Sequence, residues 1–417
     1  MGTRRPVRLR SRVGGERLGV ATPADDVHTS AGGSSPPLRV LVVSHSFPPR
    51  GRPDENIGGM QRVATGLVEA FAVLESVRLE TMVLRTSARF TTSQTTLFLL
   101  RTLLAIPRHL ARREVDVIVF TSLVTASLCV LLKPFLRRAG VRTVAIAHGR
   151  DVTLRRFGYQ HLVPRILASV SAVFPVSHAV AQECARRGVA TDRLFVVPNG
   201  ISVPSGTASG SRRGAQTAGK GSNGEGVGDA RPRLRLLSVG RQVERKGFEW
   251  FVRHVLPILP PGVEYCVVGD GPGLRSLHHA VRAVGAEDSV RLLGRVTEDE
   301  LDAAYRRADL LIMPNILVEG DMEGFGVVAL EAGLRGVPVI ASDCEGMRDV
   351  IGEGVNGHRV EPGDASGFAA VISRYAKNGA EQEELGRTAH AHVRETYAWP
   401  VVARKFVTAL RQVMDLV

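Results

Sequence analysis

Short runs of Val, Ile and Leu recur along the chain, each followed by a glycine-rich turn or a helical period. The first strand is predicted at Leu38–Ser44 (LRVLVVS). A loop with Gly58 and Gly59 follows, then an amphipathic helix from about Met60 to Leu74. Further strands are predicted at 115–120, 141–147, 172–177 and 194–199. A second set occupies 234–240, 263–269, 290–294, 309–314 and 337–342. Short apolar strands spaced by helical patterns are expected in parallel sheets covered on both faces. The chain therefore reads as α/β, with two Rossmann-like domains facing across a cleft. In open sheets of this kind ligands bind beyond the carboxyl ends of the strands, so the cleft is the expected site.

The organisation expected from this pattern is a first domain over 38–203 and a second over 234–397. Residues 204–233 (SGTASGSRRG and GKGSNGEGVG among them) lose all periodicity and read as a flexible Gly/Ser-rich linker or insertion. Residues 1–37, rich in Arg, Gly, Ser and Pro, read as a disordered basic extension without the apolar core of a secretory signal. The longest apolar run, Val117–Leu132, is interrupted by Thr121, Ser122, Thr125 and Ser127. It is shorter than the roughly 20 residues that span a bilayer. It reads as a buried strand, DVIVF, followed by a buried helix, SLVTASLCVLL.

Charge divides along the same boundary. The 417 residues carry 54 Lys and Arg against 41 Asp and Glu, a net charge of +13. From Leu234 onward 21 basic residues face 26 acidic ones, whereas Arg85–Arg165 alone holds 14 basic and 3 acidic. A uniformly basic chromatin-type protein is excluded. No nucleic-acid module is recognisable, and the basic stretch has few aromatics for stacking on bases. The four cysteines (Cys129, Cys184, Cys266, Cys344) are far apart and show no metal-ligand spacing. That argues against a disulfide scaffold and a structural zinc site, and favours a reducing, cytoplasmic setting.

Four stretches could carry chemistry. In DMEGFGVVALEA (321–332), Glu323 is expected at a helix start and Glu331 eight residues on. On one helix they would lie about 12 Å apart along the axis and about 80° around it, facing one elongated ligand. The same pattern fits an N-terminal acid favoured by the helix dipole and one buried, partnered Glu. In SVGRQVERKG (238–247), Arg241 and Lys246 follow a strand end in a glycine-bounded turn that suits a diphosphate; a solvated basic loop would look alike. VVGDGPGLRSL (267–277) has Leu274 where a dinucleotide fingerprint needs its third glycine, so a tight strand–helix turn is the better reading. AHGRD (147–151) sets His148 at a strand end, where it could bond a sugar hydroxyl or serve the fold.

Together these stretches resemble a retaining glycosyltransferase of family 4 with the GT-B fold. The shared motifs, in order, are the Gly58-Gly59 pair, HGxD, VPNGI (197–201), GRxxxxKG, VGDGP, LGRV (293–296) and EGFGxxxLEA. The resemblance covers about Leu38 to Val417, without the insertion. It implies that Arg241 and Lys246 clamp the diphosphate of a nucleotide sugar and stabilise the leaving group. Glu331 would hold the ribose, and Arg295 and Val296 would line the base. Glu323 with the amides of Gly324, Phe325 and Gly326 would contact the donor sugar. Gly59 would approach the diphosphate, and His148 would reach the sugar near the reacting carbon. The catalytic set implied is thus Glu323, His148, Arg241 and Lys246. No cofactor and no metal is expected: the chain has no Asp-x-Asp, and Arg and Lys would take the place of Mg²⁺. The closing stretch 398–417 resembles the helix that crosses back onto the first domain.

The implied activity is hexosyl transfer from GDP-mannose or a UDP-hexose to a glycan or lipid-linked acceptor, in cell-envelope or exopolysaccharide synthesis. The alternatives are a GT-B-like protein that binds a nucleotide sugar without transfer, or a phosphorylase or epimerase of related architecture. Two departures stand out. Pro314-Asn315 replaces the family's Pro-Ser, and its Gly-Gly-x-x-Glu turn becomes Glu345-Gly346-Met347-Arg348-Asp349. Over 95–142, Leu and Phe interleave with Arg, a pattern that suits an anionic membrane surface. Ordinary helices with solvated arginines fit that stretch too. The expected location is cytoplasmic, peripheral at the inner face of a membrane if the first reading holds.

Overall fold

Two parallel sheets form the computed structural model, which describes residues 36–51, 58–86, 91–155, 158–203 and 234–416. The first sheet holds β1 (Leu38–Phe47), β2 (Val77–Arg85), β3 (Val117–Phe120), β4 (Arg142–Ala147) and β5 (Ala172–Pro175), in the order β2-β1-β3-β4-β5. The second holds β6 (Leu234–Val239), β7 (Val263–Val268), β8 (Val290–Gly294), β9 (Leu310–Met313), β10 (Val339–Ser342) and β11 (Gly357–Val360), ordered β11-β10-β9-β6-β7-β8. Every strand pair is parallel. The strands β3, β5 and β9 are buried at every residue, which accounts for their unbroken apolar runs.

The chain crosses between the domains near its end. The helix Trp399–Asp415 packs on the helix Gly59–Ala72 of the first domain. Phe406 lies 5.5 Å from Phe71 and 5.0 Å from Phe174, ring centre to ring centre. Burial of one such ring contributes about 1.5–3 kcal/mol. A Cβ on Gly66 would sit 1.9 Å from the Trp399 indole, so that contact requires glycine.

Several elements differ from the sequence expectation. Residues 194–199 form no strand and contribute one bridge, Val173 to Leu194. All but Pro198 are buried, and Pro198 has no N–H to continue a ladder. The edge strand β2 was not anticipated because Arg78 and Glu80 break its apolar run, nor was the four-residue β11. The stretch after β3 is two helices, Leu123–Ala126 and Leu128–Ala139. The insertion 204–233 and residues 1–35 lie outside the described residues.

Candidate active site

The carboxyl ends of the two sheets face each other, and four loops meet there. After β6, the turn through Glu244–Lys246 ends on Gly247, whose φ is +66. A Cβ there would lie 1.8 Å from the Pro314 carbonyl oxygen, so this glycine presses the cationic turn onto the loop after β9. The VGDGPG turn supports it from the other side. A Cβ on Gly269 would meet the Gly240 oxygen at 2.0 Å, and Gly273 N–H donates to the Gln242 carbonyl at 2.9 Å. Across the cleft, a Cβ on Gly324 would stand 1.9 Å from the His148 carbonyl oxygen. The HGRD and EGFG loops therefore touch backbone to backbone.

Glu323 is the most constrained charge in the cleft. Lys246 Nζ and Arg245 both reach its carboxylate, and Asn315 Nδ2 lies 3.4 Å away. Arg245 also bonds Asp321, at 3.1 Å. Burial pushes the Glu323 carboxyl up, but Lys246 and Arg245 outweigh it and hold the group down at about 2. Lys246 is itself only 7% exposed. A buried cation opposite one carboxylate is ready to bind a more highly charged anion.

Glu331 has a different environment. The helix carrying it begins at Val327, after Gly326 with φ +83. Glu323 therefore precedes that helix by four residues, and the expectation that both glutamates share one helix is wrong. The left-handed Gly326 and the close contact of Gly324 with His148 keep 323–326 outside the helix, as a loop. Glu331 accepts from Tyr305 Oη at 2.7 Å and pairs with Arg62, which reaches over from the first domain and also pairs with Glu298. Burial, reinforced by the Glu331 charge, pushes the Tyr305 hydroxyl well above its usual value.

The other candidates are more open. Gly59 opens the Gly59–Ala72 helix, and a Cβ placed on it would meet no atom within 4 Å, so its backbone is free for close approach. Arg241 and Arg295 are exposed, and Val296 is half-buried beside the core. Phe325 is buried against Tyr397. His148 Nε2 lies 2.9 Å from the Thr121 carbonyl, which can only accept, so that nitrogen carries a proton. Asp151 of the same motif serves the fold, accepting from the amides of His148 (2.8 Å) and Leu123 (3.2 Å). Asp349 accepts from the His178 amide at 3.1 Å, tying the second domain to a helix start in the first.

Sequence reasoning passed over Arg245, Asp321, Arg62, Tyr305 and His45. Arg245 lay inside the quoted GRxxxxKG stretch, one residue before the lysine. His45 follows the first strand run and lies near His148, 3.3 Å from Ser122 Oγ; burial, then the His148 charge, lower it to about 4. Among the described residues one trio has metal-ligand spacing: Glu80, His109 and Glu114. Glu114 precedes β3, so this trio belongs to the amino end of the sheet, away from the cleft. The four cysteines are free.

Comparison with known proteins agrees with this architecture. The family described as Glycosyltransferase Family 4 matches residues 39–203, and that described as Glycosyl transferases group 1 matches 233–378. The chain is 28% identical over 326 residues to a GDP-mannose-dependent alpha-(1-6)-phosphatidylinositol monomannoside mannosyltransferase of Mycobacterium tuberculosis, covering 73% of this chain and 78% of that one. It is 25% identical over 277 residues to the amylovoran biosynthesis glycosyltransferase AmsK of Erwinia amylovora, covering 65% of this chain and 64% of that one. For two further relatives the match spans 45% and 43% of their length. The chain thus spans less than two thirds of several curated relatives. Among solved structures, sucrose-phosphate synthase of Thermosynechococcus elongatus has a TM-score of 0.67 at 20% identity, over 90% of this chain and 99% of that one. Anabaena HepE in complex with UDP and glucose gives 0.60 at 19%, again over 90% and 99%. Both likenesses are to the fold, GT-B.

Proposed function

Because the chain belongs to glycosyltransferase family 4, we propose that it moves a hexose from a nucleotide-diphosphate sugar to a glycan or lipid-linked acceptor, with retained anomeric configuration. The observation that carries this reading is the Lys246–Arg245–Glu323 cluster, buried beside a glycine loop at the facing ends of two parallel sheets. Lys246, with Arg241 from the rim, takes the diphosphate and stabilises the negative charge that grows on it as the sugar leaves. Such preorganised cations act most strongly where water is excluded. Metal is not needed for that role when two cations fill it. Glu331 takes the ribose hydroxyls, with Arg295 and Val296 beside the base. Glu323 and the amides of 324–326 take the sugar hydroxyls. His148 reaches the sugar near the reacting carbon. Gly59 leaves space for the diphosphate.

Glu323 is tied to two cations, so it is a poor nucleophile. Displacement on one face follows, with the departing diphosphate taking the acceptor's proton. The donor is GDP-mannose or a UDP-hexose; the mannosyltransferase relative favours the first, and the HepE complex with UDP the second. The test is a panel of UDP- and GDP-hexoses assayed for release of nucleoside diphosphate and for product configuration. Turnover of one donor class with retention is expected. Binding without release would favour the non-transferring alternative, and an inverted product would overturn the mechanism.

The acceptor side of this reading includes a membrane. Leu97, Leu100 and Leu104 on the helix Thr91–Ala111, and Leu131 and Phe135 on the adjoining Leu128–Ala139, are exposed, up to 67% at Leu104. Arg101, Arg108, Arg137 and Arg138 are exposed on the same two helices. No helix among the described residues is long and apolar enough to cross a bilayer. Apolar side chains ringed by cations fit an anionic lipid surface, each cation contributing about 1 kcal/mol. Co-sedimentation with anionic but not neutral vesicles is expected; equal binding to both would remove the anionic surface from the account, and binding to neither would remove the membrane.

A further inference from the structure

The turn after β10 holds a carboxylate that the scheme above leaves unused. Glu345 has a φ of +46, a left-handed backbone that side-chain-bearing residues adopt rarely and at a cost. Its neighbour Gly346 is pressed on the donor-sugar loop: a Cβ there would meet the Gly324 carbonyl oxygen at 2.2 Å. Two hydrogen bonds join these segments. Glu323 N–H donates to Glu345 Oε2 at 2.6 Å, and Gly346 N–H donates to the Glu323 carbonyl at 3.1 Å. The backbone of Glu323 is thus held on both sides by this turn, while Lys246 and Arg245 hold its side chain.

We propose that Glu345 is a positioning residue that couples its own protonation to binding of the nucleotide sugar. Neutral, it holds the Glu323 amide through its carbonyl oxygen and adds no charge. Ionised, it puts a second negative charge beside Glu323, next to the place assigned to an anionic donor. The charged groups around it are Glu323 and Asp321 from one loop and Arg245 from the β6 turn; Asp343, Cys344 and Arg348 belong to its own segment. Burial first, then the Glu323 charge, raise Glu345 to about 7, against the Glu323 N–H and Arg245, which lower it. An anionic donor raises it further, and by linkage the donor then binds less well as pH climbs through 7. The inference rests on the donor reading above.

The experiment is donor KM for UDP-glucose and GDP-mannose from pH 6 to 8, with the melting temperature of ligand-free protein over pH 5–8. In the wild type, KM for the accepted donor rises about fivefold across that range. Glu345→Gln, which cannot ionise, shows no such rise. The ligand-free readout carries its own sign. A carboxyl raised in the folded state stabilises it less as pH rises from the unfolded value towards 7. The wild type therefore loses melting temperature relative to Glu345→Gln as pH increases. Glu345→Gly, which suits a φ of +46, guards against misfolding of the first variant. It also loses the pH dependence of KM, and it lowers kcat because Glu323 is held less firmly. Coincident melting profiles of wild type and Glu345→Gln would overturn the inference without reference to any donor. So would a KM rise that survives in Glu345→Gln. A melting difference with no nucleotide-sugar binding at all would instead overturn the donor reading, and the coupling with it.

Discussion

Glu323 and Glu331 lie eight residues apart, yet they are held in opposite ways. Glu323 takes both of its cations from the turn after β6, within its own domain. Glu331 takes its cation, Arg62, from the first helix of the other domain. The Glu323 cluster therefore depends on one domain alone. The Glu331 pair depends on both. A ribose on Glu331 has to displace or share Arg62 from the other domain, whereas a diphosphate shares Lys246 with Glu323 inside one domain.

The sharpest way to break this contrast is Lys246→Ala. It leaves Glu323 and Arg245 buried without the lysine, and kcat should fall about 10³-fold with the fold intact by circular dichroism. Next in size is Gly324→Ala. Its methyl meets the His148 carbonyl at 1.9 Å and should force the two loops apart, lowering kcat/KM about 100-fold. Glu331→Gln should cost about 10–50-fold in kcat/KM, seen mainly in donor KM, if a buried charge-assisted bond to ribose is lost. Arg62→Ala should change donor KM by only about twofold to fivefold. It should also shift small-angle scattering of the free protein towards a more open form. Equal effects from Lys246→Ala and Arg62→Ala would erase the distinction between the two glutamates. The smallest expectation concerns acid pH. With Glu323 held near 2, its contribution to stability is fully present above the unfolded carboxylate value, is lost progressively as pH falls below it, and is gone once pH passes through about 2. Activity should therefore show no acid limb from Glu323 between pH 4 and 6.

The division into two parallel sheets was legible because inner strands such as β3 and β9 must be apolar throughout. Two of the edge strands, β2 and β11, were not, since β2 exposes Glu80 and β11 (GHRV) is four residues long with a single apolar side chain. At the site, Lys246 and Glu323 were legible through residue types at strand ends. Their direct pairing was not, because 77 residues separate them. The helical relation assigned to Glu323 and Glu331 failed on one backbone angle, at Gly326, which neither periodicity nor composition encodes. Arg62 carried no local signal at all: its partners Glu331 and Glu298 are 269 and 236 residues away, in the other domain. Glu345 was noticed only as a departure from a glycine turn, and its left-handed backbone gives that departure a physical meaning.

Central to the account is the claim that the cation turn after β6 is a diphosphate site. Calorimetric titration of UDP and GDP into the wild type and Lys246→Ala tests it directly. The expected result is saturable binding of one of the two nucleotides, weakened at least tenfold by the substitution. Binding of neither, or equal affinity in both proteins, would contradict it.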